Sequence, residues 1–234
     1  MKPVFPFFLS CSLIFILEAS ELKILKASIY DQKTGLLLNT NSRKDSLKGD
    51  TVFAHNKTFN RNGLITMNQH LKYLKSNLKI VESILSYPII GRKEGIKNLD
   101  GWIYYTFKRE NNKNVTKGRE KYKDMMIGQG LVTNFIEFHC QKLLNGEKIT
   151  AALMVPSRKT SYNFSFLKIK DTTIYNKPAA LIKMQGVNLL VRSYQGPSYW
   201  YLSLSDKPYK ILEYHGKLSD GWTKRRVRVV YGYN

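Results

Sequence analysis

The segment 51-TVFAHNKTFNRNGLITMNQHLKYL-74 decides the fold class of this chain. At its centre is Asn62-Gly63, a pair that tolerates the positive backbone φ angles of a two-residue turn and is the strongest short signal for a hairpin. Residues 51–61 and 64 onward flank this turn with the two-residue periodicity of strands. We therefore predict two antiparallel strands joined by a tight turn.

The same period-two pattern recurs on both sides of this hairpin. Further strands are predicted at 24–31, 36–39, 101–109, 147–155, 162–170, 180–194, 199–205, 209–215 and 223–231. The last two are joined through Asp220-Gly221. Strands at this spacing, without helices between each pair, favour an antiparallel meander over a βαβ fold. The predicted fold class is mainly β (α+β), a curved antiparallel sheet or partly open barrel with one or two packing helices.

Two segments carry helical periodicity. Residues 131–144 place their apolar side chains on one broad face, and Asn145-Gly146 follows as a stop signal. Residues 71–85 show a heptad spacing of apolar residues, but the hairpin needs the beginning of that stretch as its returning strand. We expect strand to about Tyr73 and then helix, if one forms, as far as Ser86.

The N-terminus has the three parts of a secretory signal peptide. A positive charge precedes an apolar run at 4–17, and Ala19 is a small residue at a suitable cleavage point. The run is shorter than the roughly 18 to 20 apolar residues that a spanning helix needs. We therefore predict a signal peptide at 1–19, a single β-rich domain at 20–234, and export to the periplasm or cell envelope. A lipoprotein modified at Cys11 is the alternative.

The charge balance is strongly positive. The chain has 38 Lys and Arg against 17 Asp and Glu, a net charge of +21, and loss of residues 1–19 would leave this unchanged because they contain one Lys and one Glu. Such an excess favours anionic partners. Export argues against nucleic acid and leaves an anionic membrane surface or an acidic polysaccharide as the expected partner. The alternative is that the protein is basic only because it comes from a Lys-rich proteome.

A basic strip is predicted on the final strand. Lys224, Arg226 and Arg228 lie on the face opposite the alternating apolar residues. These three residues are candidates for contact with an anionic surface. The alternative is that a last strand simply displays its charge to solvent.

Aromatic residues indicate a second kind of site. Residues 162–166 alternate aromatic and polar side chains, so one face of that strand is aromatic, and residues 199–201 are three consecutive aromatics that point both ways. Such side chains suit an apolar cavity inside a curved sheet, although they would equally fill a closed core. The candidate ligand-binding residues are Tyr162, Phe164, Phe166, Tyr199, Trp200 and Tyr201.

Catalytic and metal-binding signatures are missing from the sequence. The histidines at 55, 70, 139 and 215 share no short ligand spacing with one another, and no HExxH or CxxC occurs. We therefore expect no metal, no cofactor and no enzymatic activity. One alternative is an exported hydrolase of envelope polymers, in which His139 or His215 meets a carboxylate and a hydroxyl or thiol in a cleft. Another is a structural envelope module.

Several fragments together resemble one family. They are Tyr30-Asp31 with residues 34–37 (TGLL), residues 143–147 (LLNGE), residues 155–158 (VPSR), and Tyr214-His215-Gly216 before a Val-Arg-Val final strand. The chain resembles uncharacterised bacterial proteins with signal peptides and a β-rich domain, a family without an assigned activity. The order of elements is also similar to that of lipoprotein carriers of the LolA and LolB type, in architecture only.

These features together favour one functional class. Export, aromatic strands, positive charge and the absence of catalytic groupings indicate an envelope protein that binds an apolar or amphiphilic ligand, or the anionic membrane surface.

Overall fold

The computed structural model describes residues 21–110, 112–217 and 225–233, with the side chains of 21–24 excepted. The predicted signal peptide at 1–19 lies outside these residues, as do Asp220-Gly221 and Lys224. Within the described ranges no helix is long and apolar enough to cross a membrane.

The described chain forms one large antiparallel sheet. Its strands are β1 (Glu21–Asp31), β2 (Leu37–Lys48), β3 (Thr51–Asn60), β4 (Ile65–Leu74), β5 (Ile80–Tyr87), β6 (Arg92–Leu99), β7 (Trp102–Lys108), β8 (Val115–Lys121), β9 (Met126–Ile127), β10 (Ile149–Val155), β11 (Thr160–Ile174), β12 (Lys177–Gly186), β13 (Ser198–Ser203), β14 (Ile211–Lys217) and β15 (Arg226–Tyr233). Strands β1 to β8 pair in sequence as one meander, and β9 to β15 form a second. Pairing of β1 with β15 joins the two meanders into fifteen strands, in which only the short β9 runs parallel to its neighbour.

The sheet is curved but not closed, as predicted for a partly open barrel. Its β8 side turns back toward the β10–β11 turn, where Ser161 Oγ donates a hydrogen bond of 3.0 Å to Glu120 Oε2. This curvature gives the sheet a concave and a convex face. The predicted antiparallel, mainly β class is therefore confirmed.

Within the described residues, three short α-helices accompany the sheet, where one or two were expected. They are α1 (Val132–Phe138), α2 (Cys140–Leu144) and α3 (Leu189–Gln195). The first two confirm the helix predicted at 131–144, interrupted at His139, and they bury Phe135, Ile136 and Leu143. Because these side chains belong to the same core as the inward residues of the strands, α1 and α2 fill part of the concave side.

The strand predicted at 180–194 is wrong beyond Gly186. Strand β12 ends there because the chain turns into α3, whose Val191 side chain lies 2.5 Å from where a Cβ of residue 186 would be. Asn188 begins the helix by accepting a hydrogen bond of 2.8 Å from the Val191 amide, an ordinary N-cap.

The helix predicted beyond Tyr73 is also wrong, because the chain forms the β4–β5 hairpin instead. Leu78 adopts a positive φ of 57°, and Asn77 Oδ1 accepts a hydrogen bond of 2.9 Å from the Lys79 amide. Of the apolar residues that suggested a heptad, Leu71 on β4 and Leu85 on β5 are inward positions of two strands, and Leu78 lies in the turn that joins them.

Polarity along the strands divides the concave face into two halves. On β3, inward Val52 and Ala54 join the core around the helices, whereas Asn56 and Thr58, further along the same strand, are polar. The polar half points toward the end of the sheet at which β1 finishes. Antiparallel pairing places the turns at 32–36, 61–64, 88–91, 109–110 with 112–114, and 187–197 at this end. We call it the mouth end.

Candidate functional site

A cavity of about 530 Å³ lies on the concave side, between the beginning of α1 and the mouth end. Its volume is within the range of about 300–1,000 Å³ that is typical of small-molecule sites. Ile90, Glu110 and Gln195, which belong to three of the turns, line it and are partly exposed. The cavity therefore opens at the mouth end.

Strands β2 to β4 supply a polar wall, formed by Asn39, Asn41, Asn56, Thr58 and Gln69. Asn41 Nδ2 donates to Thr58 Oγ1 (2.9 Å), and Asn56 Nδ2 donates to Gln69 Oε1 (3.0 Å). Cross-strand pairing sets these contacts, because each pair is directly opposite in the ladder. The wall presents only uncharged amides and hydroxyls.

The opposite side of the cavity is an apolar wall. It comes from β1, β15 and the strands beyond, and consists of Leu25, Ala27, Ile29, Met184, Trp200, Tyr214, Val229 and Tyr231. In the ladder Ala27 is opposite Tyr231, and Trp200 is opposite Tyr214, with ring centroids 4.6 Å apart. Burial raises the pKa of Tyr214 to about 12 and also raises the pKa of Tyr231, so both phenols remain neutral.

Arg43 closes the floor of the cavity and is fully engaged there. Its Nε and Nη2 donate to the two carboxylate oxygens of Asp45 at 2.6 and 2.8 Å. Nη1 donates to Gly130 O (3.0 Å) and Asn134 Oδ1 (2.9 Å), and Nη2 also reaches the Tyr73 hydroxyl at 3.2 Å. The remaining charged residues of the lining, Glu110 and Lys217, lie at the mouth end. The interior therefore offers a ligand neutral groups.

Of the six predicted ligand-binding residues, Trp200 lines the cavity. Phe164 and Phe166 face inward but belong to the core, where the Phe166 ring lies 5.0 Å from that of Phe135 on α1. Tyr162 is partly buried against the same core.

Tyr199 and Tyr201 alternate with Trp200 along β13, and this places them on the convex face. The Tyr201 ring lies 5.2 Å from that of His215 there. The structure thus brings the six aromatic residues to three different places.

The predicted basic strip is engaged within the protein. Arg228 Nε lies 3.0 Å from Glu213 Oε1, and Arg226 Nη2 donates to Pro197 O at 3.2 Å. Lys224 is outside the described residues. Both arginines are on the face opposite the apolar residues of β15, as predicted.

The histidines named for a hydrolase lie away from the cavity. His215 Nε2 contacts Glu213, which also accepts a hydrogen bond from the Tyr175 hydroxyl, and this group is on the convex face. His139 packs against Phe135 (ring centroids 4.5 Å apart), and burial lowers its pKa. In the part of the chain that the structure covers, no three His, Cys, Asp or Glu residues are placed to hold a metal ion.

The polar wall was not predicted from the sequence, although the sequence contains a pattern that indicates it. Asn39, Asn41 and Arg43 occupy alternate positions of one strand, and Asn56 and Thr58 do so on the next. In a curved sheet with a filled interior, inward positions are apolar, so polar residues at that spacing indicate space for water or a ligand.

No family model matches the sequence, and no curated protein matches it. Among solved structures, the chain is similar to the β-barrel-like protein of domain of unknown function DUF1849 from Brucella abortus, with a TM-score of 0.48 and 9% identity over 91% of this chain and 98% of that one. It is also similar to a domain assigned to outer membrane lipoprotein sorting from Vibrio parahaemolyticus, with a TM-score of 0.30 and 8% identity over 92% and 85%. Similarities this low carry no conclusion about function.

Proposed function

We propose that this protein is an exported, non-enzymatic envelope protein whose cavity binds an amphiphile. The alkyl part of the ligand lies against the apolar wall, and an uncharged hydrogen-bonding part lies against the polar wall. The observation that carries the proposal is that the two walls face each other across one cavity of about 530 Å³.

The lining of the cavity disfavours two classes of ligand, purely apolar molecules and molecules with a charged head group. A purely apolar molecule would leave without water or a partner those donors and acceptors of the polar wall that the Asn41–Thr58 and Asn56–Gln69 hydrogen bonds do not use, which is unfavourable for buried polar groups. A charged head group would find no free counter-ion on the floor, because every hydrogen-bonding nitrogen of Arg43 is already engaged. A neutral polar group next to an alkyl chain satisfies both walls.

Calorimetric titration with 1-monoacylglycerols below their aggregation concentration tests this proposal. The matched variants are Ala27→Phe, which places a ring in the cavity, and Ser28→Phe, which places the same ring on the convex face one residue further along β1. We expect saturable binding that Ala27→Phe weakens at least about tenfold and Ser28→Phe leaves unchanged, because about 1.4 kcal/mol of lost contact is tenfold in affinity.

Two results would contradict the proposal. One is the absence of saturable binding by any chain length, and the other is equal affinity in the two phenylalanine variants. Native mass spectrometry of protein purified from its own host supplies an independent measurement, since a bound amphiphile adds its mass to the protein.

Surface contact through Lys224, Arg226 and Arg228 remains a separate prediction. Arg226 and Arg228 have partners within the protein, so their charge-reversal variants report on those contacts as well. A membrane-binding surface is better sought among side chains that point into solvent.

A further inference from the structure

The turns at the mouth end carry exposed apolar side chains. Leu36 is 55% exposed, Leu64 57%, Ile89 59%, Leu189 77% and Leu190 81%. They come from four separate turns, which antiparallel pairing brings to the same end of the sheet. Single exposed apolar residues are ordinary on a protein surface, but a ring of them around one opening indicates an interaction surface.

Helix α3 holds two of these leucines firmly in place. Val191 packs against Gly186, and Arg192 Nε donates a hydrogen bond of 2.8 Å to Gly186 O. Lys217 Nζ donates to Tyr194 O near the other end of the helix. These contacts fix the helix to the sheet on one side, while Leu189 and Leu190 remain exposed.

The opposite end of the described sheet differs. Its exposed apolar residues include Leu99 and Trp102, and the ring of Trp102 is covered by the Arg119 guanidinium at 4.8 Å. Tyr175, also at that end, hydrogen-bonds through its hydroxyl to Glu213. The concentration of exposed leucine and isoleucine is therefore a property of the mouth end.

Three of these four turns are also basic, with Lys33, Arg61 and Arg192 exposed in them, and Lys113 is exposed in a fifth turn at the mouth end. The acidic residue that the structure describes in the mouth-end turns, Glu110, is partly buried against the cavity. Cations beside apolar side chains match the interface of an anionic bilayer, in which headgroups are negative and the acyl boundary accepts leucine. A protein partner would have to match both features around the whole mouth end.

We propose that the mouth end docks on an anionic lipid bilayer. Leu64, Ile89, Leu189 and Leu190 enter the boundary between headgroups and acyl chains, and the lysines and arginines of the turns contact the headgroups. The cavity then opens directly onto the bilayer. That last point rests on the proposed function, whereas the docking itself does not.

Co-sedimentation with phosphatidylcholine vesicles, with and without phosphatidylglycerol, tests the docking. We expect binding that requires phosphatidylglycerol and weakens as sodium chloride screens the charges. Leu189→Ser/Leu190→Ser should lower the partition coefficient at least about tenfold, because burying a leucine side chain is worth that much or more. The matched control is Ile84→Ser/Leu99→Ser, two residues of similar type on the convex face and at the opposite end.

A second pair of variants separates local charge from net charge. Lys33→Glu/Lys113→Glu changes the mouth end, and Lys48→Glu/Lys75→Glu changes the opposite end by the same amount. Each basic residue near an anionic surface contributes about fivefold in affinity. The first pair should therefore weaken vesicle binding by more than about 25-fold, and the second pair should have a much smaller effect.

Several outcomes would overturn the docking. These are no binding to phosphatidylglycerol vesicles, equal losses in the test and control variants, or a self-association that Leu189→Ser/Leu190→Ser abolishes, which would make this face a contact between copies. The monoacylglycerol titration is run on the same variants, with urea unfolding as the check on folding. A variant that still binds monoacylglycerol but no longer binds vesicles supports two separate surfaces. Failure of either assay alone refutes only the proposal that it tests.

Discussion

Replacing Arg43 by leucine would separate the sheet from the helix that forms the cavity floor. The Arg43 side chain on β2 is 6% exposed and bonds both Asp45 and the beginning of α1, through Gly130 O and Asn134 Oδ1. Leucine keeps an apolar side chain at this position but removes every donor. Asp45, whose side chain is 7% exposed, is then a buried carboxylate that has lost its cation.

The expected loss is large because of the charge that remains. Breaking a buried ion pair by removing one partner costs about 3–5 kcal/mol. In a domain of this size each kcal/mol changes Tm by about 2–4 °C, so Arg43→Leu should lower Tm by about 6–20 °C. Arg43→Leu/Asp45→Leu removes both charges and should recover most of this loss. It still lacks the two hydrogen bonds to the α1 region, each worth about 1 kcal/mol.

Urea unfolding followed by circular dichroism measures the free energy of unfolding of both variants. Arg226→Leu is the matched control, because its guanidinium bonds Pro197 O and Gln32 Oε1 at a partly exposed position, and we expect it to cost less than about 1 kcal/mol. The reasoning fails if Arg43→Leu is no worse than Arg226→Leu. It also fails if the double variant is as unstable as Arg43→Leu, since the cost would then not come from the unpaired Asp45.

Three further predictions concern the ligand and the pH dependence. Each methylene added to a monoacylglycerol should increase affinity about fourfold, from about 0.8 kcal/mol per CH₂, until the cavity is full, and titration of Ala27→Phe should show the plateau at a shorter chain. Equal affinities along the series would contradict an alkyl site. Binding should shift the tryptophan emission to the blue, and Trp200→Phe should abolish the shift while Trp102→Phe preserves it, because only Trp200 of these two lines the cavity. At Glu213, burial acts to raise the pKa, but hydrogen bonds, that from His215 first, outweigh it and hold the pKa below its ordinary value. The resulting stability is present above the ordinary pKa of glutamate and is lost as pH falls through the lowered value, so urea unfolding should show a weaker acid dependence for Glu213→Gln; an unchanged dependence would contradict this assignment.

Local signals predicted most of the sheet, because hairpins are specified by a few adjacent residues. The predicted hairpin is present, but its turn spans residues 61–64 and only Gly63 of the predicted pair has a positive φ, of 76°. The helix predicted at 131–144 is present as α1 and α2. The helix predicted after Tyr73 is wrong because Leu71 and Leu85, whose spacing also fits a helix, are inward positions of two separate strands. The Leu78 turn that separates the two strands has no comparable sequence signal.

The cavity depends on contacts that no local pattern contains. Its apolar wall exists because β1 pairs with β15, which places Ala27 opposite Tyr231, about 200 residues along the chain. Phe164 and Phe166 illustrate the same limit: alternation correctly placed them on the inward face, but it could not tell whether α1 or open space lies opposite them. The position of each phenylalanine along its strand determines whether α1 or open space lies opposite it, and tertiary packing sets that arrangement.

The positive charge of the chain, a net +21, is concentrated outside the cavity. The walls of the cavity are uncharged, and the guanidinium of Arg43 on its floor is neutralised by Asp45. The exposed cations of the mouth end surround the opening instead of lining the interior. Electrostatic attraction would therefore act on the approach of the protein to a negative surface, whereas shape, apolar contact and neutral hydrogen bonds would hold the ligand. Added salt should accordingly weaken the first interaction and leave the second almost unchanged, because screening acts on exposed charges and not on buried neutral contacts.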